Sequence, residues 1–322
     1  DFIYLELGER GLKTSDIMGA KVTVSLEISD YHIDTGEQIS KLEQLWGNPQ
    51  INKGLISEIS KEGFDTVRLP VTYFNHLSDD GTIDREFLNR VEEVVDWILD
   101  EDLYCIIDLQ HDTGNDGWIK ASDDNYDKNK VIVYYIFYQI AEKFKDKNDH
   151  LILEGLNETV NDQNQWGDIP LDDLEVMNDW NQLFVDAVRS TGGNNAERYL
   201  LVNTYAALPT EECLRAFKMP EDTAEGKIFV GIHCYFNKNN MRENFRTIKK
   251  YSDRYNFLIG EYAFSNGIEE RKGLLEDFLN STDELKIGAL WWDDGNTSNF
   301  GIIDRKTSKW IYTDILSLIT GK

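Results

Sequence analysis

The stretch LILEGLNE, residues 151–158, decides how the rest of the chain is read. An apolar run climbs to Gly155 and ends on Asn157 and Glu158 side by side. A run this short, bounded by polar residues, fits a buried strand. A carboxylate at the tip of such a strand stands where barrels and open α/β sheets keep their chemistry. Its counterpart is FLIGEYAF at 257–264, where Glu261 also follows an apolar run. Two carboxylates at two strand ends point to acid/base or nucleophilic work.

Outward from this pair the chain alternates. KVTVSLEI (21–28) reads as a first strand, and a long polar loop follows, ending in LWGNP (45–49). A helix is expected from Pro49 to Lys61, closed by Gly63. FDTVRLPV (64–71) is the second strand, followed by an amphipathic helix over 83–101. LYCIIDLQHD (103–112) and a helix over 129–147 come next, then 151–158 with a helix over 173–190. RYLLVNTY (198–205), KIFVGIHCYF (227–236), FLIGEY (257–262) and KIGALWWDD (286–294) complete the set, each trailed by a helix. Strict alternation makes every helix a crossover and every strand parallel to the next. About eight such units in 322 residues specify an α/β fold, a single (β/α)8 barrel with one domain over residues 1–322. The open doubly wound alternative lacks its GxGxxG fingerprint, and no Walker pattern is present.

Composition narrows the partners. With 33 Lys and Arg against 59 Asp and Glu, the net charge is −26. That disfavours nucleic acid, whose binders need a basic face. No apolar run approaches the ~20 residues of a membrane helix, so no membrane partner is expected. Three scattered cysteines, Cys105, Cys213 and Cys234, make neither a disulfide framework nor a zinc site and read as small buried hydrophobes. The chain opens at Asp1 without Met or a signal-like segment, so the residues do not specify a compartment.

In a barrel the C-terminal strand ends share one face. Collected there are Arg68, Gln110, His111, Asn157, Glu158, Asn203, Tyr205, His233, Tyr235, Glu261, Trp291 and Trp292. Taken singly, each has a structural reading. Together they cost stability, and such costs concentrate at functional sites. The types fit glycoside hydrolysis, which needs two carboxyl groups flanking the anomeric carbon. Asn and His can bond sugar hydroxyls, and Trp offers a plane for a pyranose ring. A metal reading through Asp108, His111, Asp112 and His233 matches no standard ligand spacing. Loop aromatics Trp46, Tyr73, Trp118 and Trp166, and His76, can either line a cleft or seal a loop.

Over nearly its whole length the chain resembles glycoside hydrolases of family five, among them bacterial endo-β-1,4-glucanases (cellulases) and xyloglucanases. The resemblance lies in LWGNP, GFDTVRLPVTYFNH, QHD, LEGLNE, HCY, IGEY and WWDDGNTSNFGIIDR. It implies a retaining mechanism with Glu158 as general acid/base and Glu261 as nucleophile. By the same resemblance Asn157 holds the sugar 2-hydroxyl, Arg68 and Tyr235 orient Glu261, and His233 sits near the acid/base. One of Trp291 and Trp292, preferably Trp292, floors the subsite of the cleaved sugar. A secreted monomer acting on a polysaccharide or oligosaccharide is implied, with no metal and no cofactor. Arg68 beside Glu261 would keep that carboxylate ionised, while Glu158, facing a second carboxylate without a cation of its own, is the one available as acid.

Three segments depart from the family pattern. AKVTVS (20–25) stands where many relatives carry a WNLGNT-like segment, placing Lys21 and Val24 there. Gln110-His111 replaces a His pair, and Thr159-Val160 follows the acid/base in place of Pro-Arg. The bond-breaking set is complete and the sugar contacts are altered. The expected function is therefore a retaining endo-β-glycanase on β-1,4-linked plant polysaccharide. The alternatives are a related mannanase or mixed-linkage glucanase, or a non-catalytic carbohydrate-binding barrel.

Overall fold

The computed structural model describes residues 43–44 and 47–322, together with the backbone of the short strand Val24–Ser25. Eight parallel strands close into a barrel in chain order. They are β1 (Val24–Ser25), β2 (Thr66–Val71), β3 (Tyr104–Leu109), β4 (Leu151–Leu156), β5 (Leu200–Asn203), β6 (Ile228–His233), β7 (Phe257–Tyr262) and β8 (Gly288–Trp291). Closure runs through β1, where Val24 pairs with Val67 on one side and Trp291 on the other. Lys21, Trp46 and most of the AKVTVS segment lie outside the described residues.

Helices follow the strands: α1 (Lys53–Lys61), α2 (Arg85–Asp100), α3 (Asp123–Phe144), α4 (Leu171–Ser190), α5 (Glu211–Ala216), α6 (Met241–Tyr251), α7 (Arg271–Leu285) and α8 (Thr313–Thr320). Their starts are set by local chemistry. The side chains of Asn52, Asp84, Ser122 and Thr210 each accept a backbone N–H of the first turn. Helix α3 begins six residues before the expected Asn129 (129 − 123), because Ser122 caps it and Asp123 and Asp124 suit its positive end. That turn is polar and carries no apolar period to read.

Two cores follow from the strand alternation. Outward-facing residues such as Val67, Leu69, Ile107, Leu153 and Val230 join the helices in the large core. Inside the barrel, Ile106, Ile152, Leu201, Phe229, Leu258 and Leu290 form a small separate apolar cluster. The three cysteines are buried and free. No helix among the described residues is long and apolar enough to cross a membrane.

Candidate active site

Two residues along from the apolar cluster, the same inner face turns polar. Asp108, Glu154 and Asn203 continue the parity of Ile106, Ile152 and Leu201 on β3, β4 and β5, and Arg68 enters from β2. Room for these side chains comes from glycines at the matching positions of β6 and β7. A Cβ on Gly231 would lie 1.8 Å from Asn203 Oδ1, and one on Gly260 would lie 3.0 Å from His233 Nε2.

Arg68 is fully buried and is the hub of this layer. Its Nε and Nη2 grip Glu154 side-on at 2.7 and 2.9 Å. Nη2 also donates to Asp108 Oδ2 at 2.6 Å and Asn157 Oδ1 at 2.8 Å, while Nη1 donates to Glu261 Oε1 at 2.8 Å. Asn203 Nδ2 donates both to Glu154 Oε1 at 2.8 Å and to the carbonyl of Leu156 at 2.9 Å. The guanidinium is thereby held in one plane, and one edge faces Glu261.

Glu261, at the end of β7, accepts from Tyr235 Oη on Oε2 at 2.6 Å and from Gln110 Nε2 on Oε1 at 3.4 Å. Burial opposes its charge, but His233 and Arg68 and the bonds from Tyr235 and Gln110 outweigh burial and hold its carboxyl below the ordinary range. Tyr235 leaves 41% of its surface open while its hydroxyl turns in to Glu261. Glu158 has a different setting. Its side chain is 23% exposed and its bond is to His233 Nδ1, at 2.7 Å. His233 Nδ1 also lies 3.6 Å from Glu261 Oε2. Burial lowers the affinity of that imidazole for a proton, but Glu261 and Glu158 raise it further, so its pKa lies above the ordinary histidine value. One ligand atom from each of Glu158, His233 and Glu261 lies within 4.8 Å of the others.

The structure thus brings together Arg68, Gln110, Asn157, Glu158, His233, Tyr235 and Glu261. His111 is exposed beside Gln110, its backbone N–H directed at Thr72 Oγ1. Trp292, just past the end of β8, is half-buried and packs against the large core. Trp291, the last residue of β8, corrects the expectation for that residue. It is fully buried, packs edge-on against Tyr262 and donates Nε1 to the carbonyl of Phe300, leaving no face for a sugar.

The metal set does not assemble. Asp108 is bound to Arg68, and Asp112 accepts the Tyr73 N–H and Trp118 Nε1, with burial pushing its pKa up to about 6. Tyr73 is buried, and His76 stacks on Phe87 at 3.5 Å, so both are packing residues. Tyr205 is buried too, its hydroxyl holding Asn161 and Gln165 in the loop after β4. Trp166 is 43% exposed and is steadied by Nε1 donating to Asn115 Oδ1.

Sequence reasoning passed over Glu154, although it lies inside the opening stretch. The signal was present: an acid in the middle of an otherwise apolar buried strand, like Asp108 in YCIIDL.

A closed (β/α)8 barrel whose mouth brings two carboxylates together, one clamped by a cation and one by an imidazole, is the frame of a barrel glycosidase. The Cellulase (glycosyl hydrolase family 5) model matches residues 28–298. The chain belongs to glycosyl hydrolase family 5. It is 32% identical to endoglucanase A of Ruminococcus albus, with 88% of this chain and 85% of that protein covered. It is 30% identical to a cellulase/esterase of Acetivibrio thermocellus over 86% of this chain. The chain spans only 37% of that protein and 64% of endoglucanase A of Clostridium longisporum. Among solved structures, a family 5 enzyme variant from Prevotella bryantii in complex with a xyloglucan tetradecasaccharide superposes with a TM-score of 0.87 at 26% identity, covering 97% of this chain and 98% of that one. A broad specificity endoglucanase from Ruminococcus champanellensis with bound cellotriose gives 0.85 at 29% identity, covering 97% and 99%.

Proposed function

We propose that this chain is a retaining endo-β-glycanase acting on β-1,4-linked glucan or xyloglucan, with Glu158 as general acid/base and Glu261 as nucleophile. The observation that carries the reading is the close approach of the two carboxylates, within 4.8 Å oxygen to oxygen, in opposite surroundings. Retaining enzymes hold their carboxyl groups ~5–5.5 Å apart, whereas inverting enzymes leave ~6.5–9.5 Å for a water. Glu261, kept anionic, attacks the anomeric carbon as Glu158 gives its proton to the leaving oxygen. Glu158, now a carboxylate, then takes a proton from the water that attacks the glycosyl ester and releases Glu261.

The surroundings supply the sugar contacts. The Arg68 bond to Asn157 Oδ1 turns the amide so that its nitrogen is the donor for a 2-hydroxyl. Gln110 Oε1 is buried and, among the described residues, has no hydrogen-bond partner, so a sugar hydroxyl would satisfy it. Trp292 offers the apolar plane. The substrate class follows the xyloglucan and cellotriose in the complexes of the similar structures. The chain's strong acidity favours a neutral polymer over a uronic-acid one. A polymer this large is met outside the cell, so the site of action is extracellular.

The test is release of reducing sugar from soluble β-1,4-glucan, β-1,3-1,4-glucan, xyloglucan and mannan. A 2-fluoro glycoside should label Glu261. Glu158→Gln and Glu261→Gln should each lose at least about a thousandfold in kcat on polymer, and full activity in either variant would sink the assignment. Sugar binding by the wild type without turnover or adduct would favour the non-catalytic binder.

A further inference from the structure

Arg68 faces more negative charge than it can balance. Asp108, Glu154 and Glu261 all lie within hydrogen-bond distance of this one guanidinium, and their side chains are 0%, 0% and 4% exposed. Of the three, His233 reaches only Glu261, so three ionised carboxylates would still leave at least one charge uncompensated and out of contact with water, at a cost of several kcal/mol. We propose that Glu154 is a positioning residue, the anionic clamp that aims Arg68 at the nucleophile, and that Asp108 carries the proton that lets this cluster stay buried.

The hydrogen bonds divide the two roles. Glu154 accepts from Arg68 Nε, Arg68 Nη2 and Asn203 Nδ2. Glu261 accepts from Arg68, Tyr235 and Gln110. Asp108 receives one bond from Arg68 and a long one, 3.3 Å, from the Val71 N–H. It is therefore the acid least supported as an anion. Burial, helped by the charges of Glu154 and Glu261, raises its proton affinity against the pull of Arg68. The groups facing the cluster are Arg68 on β2, Tyr73 after it, Asp108 and Gln110 on and after β3, Glu154, Asn157 and Glu158 on and after β4, Asn203 on β5, His233 and Tyr235 on and after β6, and Glu261 on β7. Glu154 also connects the two halves of the site. Asn203, which holds it, binds the Leu156 carbonyl just before Asn157 and Glu158.

The positioning half rests on Glu261 being the nucleophile; the proton on Asp108 does not. Two measurements on the whole chain separate them. Glu154→Gln, checked for folding by circular dichroism and melting, should lower kcat on soluble β-glucan roughly tenfold to a hundredfold with KM within about twofold, because a misplaced Arg68 is felt in the transition state. The infrared difference spectrum of wild type minus Asp108→Asn near neutral pH should contain the carbonyl stretch of an un-ionised carboxylic acid, in which the protons of Glu158 and Asp112, common to both proteins, cancel. The band should also vanish in Glu154→Gln, where removing one negative charge lets Asp108 ionise. A Glu154→Gln enzyme with wild-type kcat overturns the positioning role. A wild type minus Asp108→Asn difference spectrum without the band overturns the proton assignment. The spectra require no turnover, so an inactive wild type would defeat the functional reading and still leave the proton on Asp108 decided. Should Glu154→Gln fail to fold, wild type and Asp108→Asn decide it alone.

Discussion

Glu261 remains charged in a buried place because its neighbours replace water: a guanidinium, an imidazole and a phenol face it. As the proposed nucleophile, Glu261 with its depressed pKa should work to lower pH than an ordinary carboxylate, ~4.3 for Glu, and activity should be lost as pH falls through that depressed value. The same depression stabilises the fold above the unfolded pKa, and that contribution fades as pH falls through the folded one. Tyr235→Phe removes the 2.6 Å bond to Oε2. A bond to a charged group contributes about 1.5–3 kcal/mol, so kcat should fall roughly tenfold to a hundredfold and the acid limb should move to higher pH. A pH–rate profile with an unmoved limb would separate Tyr235 from Glu261. Gly231→Ala tests the packing of the polar layer. Its Cβ would meet Asn203 Oδ1 at 1.8 Å, and the forced shift should cost about 1–3 kcal/mol in chemical denaturation.

At the scale of elements, the end of β8 separates two adjacent tryptophans by burial. Trp291 is fully buried in the large core, and Trp292, just past the strand, packs against that core and keeps part of its surface open. Trp291→Ala should lose about 3–5 kcal/mol of stability, as large core truncations do, with KM little changed in the surviving folded fraction. Trp292→Ala should raise KM on oligosaccharides by at least about tenfold while melting close to wild type, a single sugar-stacking contact being lost. The reverse pattern would show that the two roles are exchanged. The loop that follows β8 is pinned by Asp293, which accepts the backbone N–H groups of Gly295, Ile302 and Ile303 and pairs with the buried Arg305. Asp293→Ala breaks this buried pair and removes the acceptor of three backbone N–H groups, so a loss of about 3–5 kcal/mol is expected, read as a drop in melting temperature.

The molecule as a whole carries a net charge of −26, and its exposed acids repel one another. Salt shortens the reach of that repulsion from ~30 Å at 0.01 M to ~10 Å at 0.1 M. The melting temperature should therefore rise between these ionic strengths, and a flat or falling response would mean that local ion pairs such as Arg189–Asp222 outweigh the net field. The barrel makes the site possible by closing. Parallel strands put every C-terminal end on one rim, so residues as far apart in sequence as Arg68 and Glu261 come within 2.8 Å.

The sequence by itself determined the alternation of strands and helices, because burial on both faces leaves short apolar runs and amphipathic helices leave a 3.6-residue period. It also determined the catalytic candidates, since polar residues at strand tips stand out against such runs. The polar tip of α3 was lost to this reading, because a Ser cap and two Asp residues carry no period. Tertiary structure alone decided which of two adjacent tryptophans is sealed in the core, since that follows from a register that only the closed sheet provides. It alone assigned Asp108 and Glu154 to Arg68, because which buried acid meets which cation depends on strands brought together by closure, and nothing local in the chain specifies that partner.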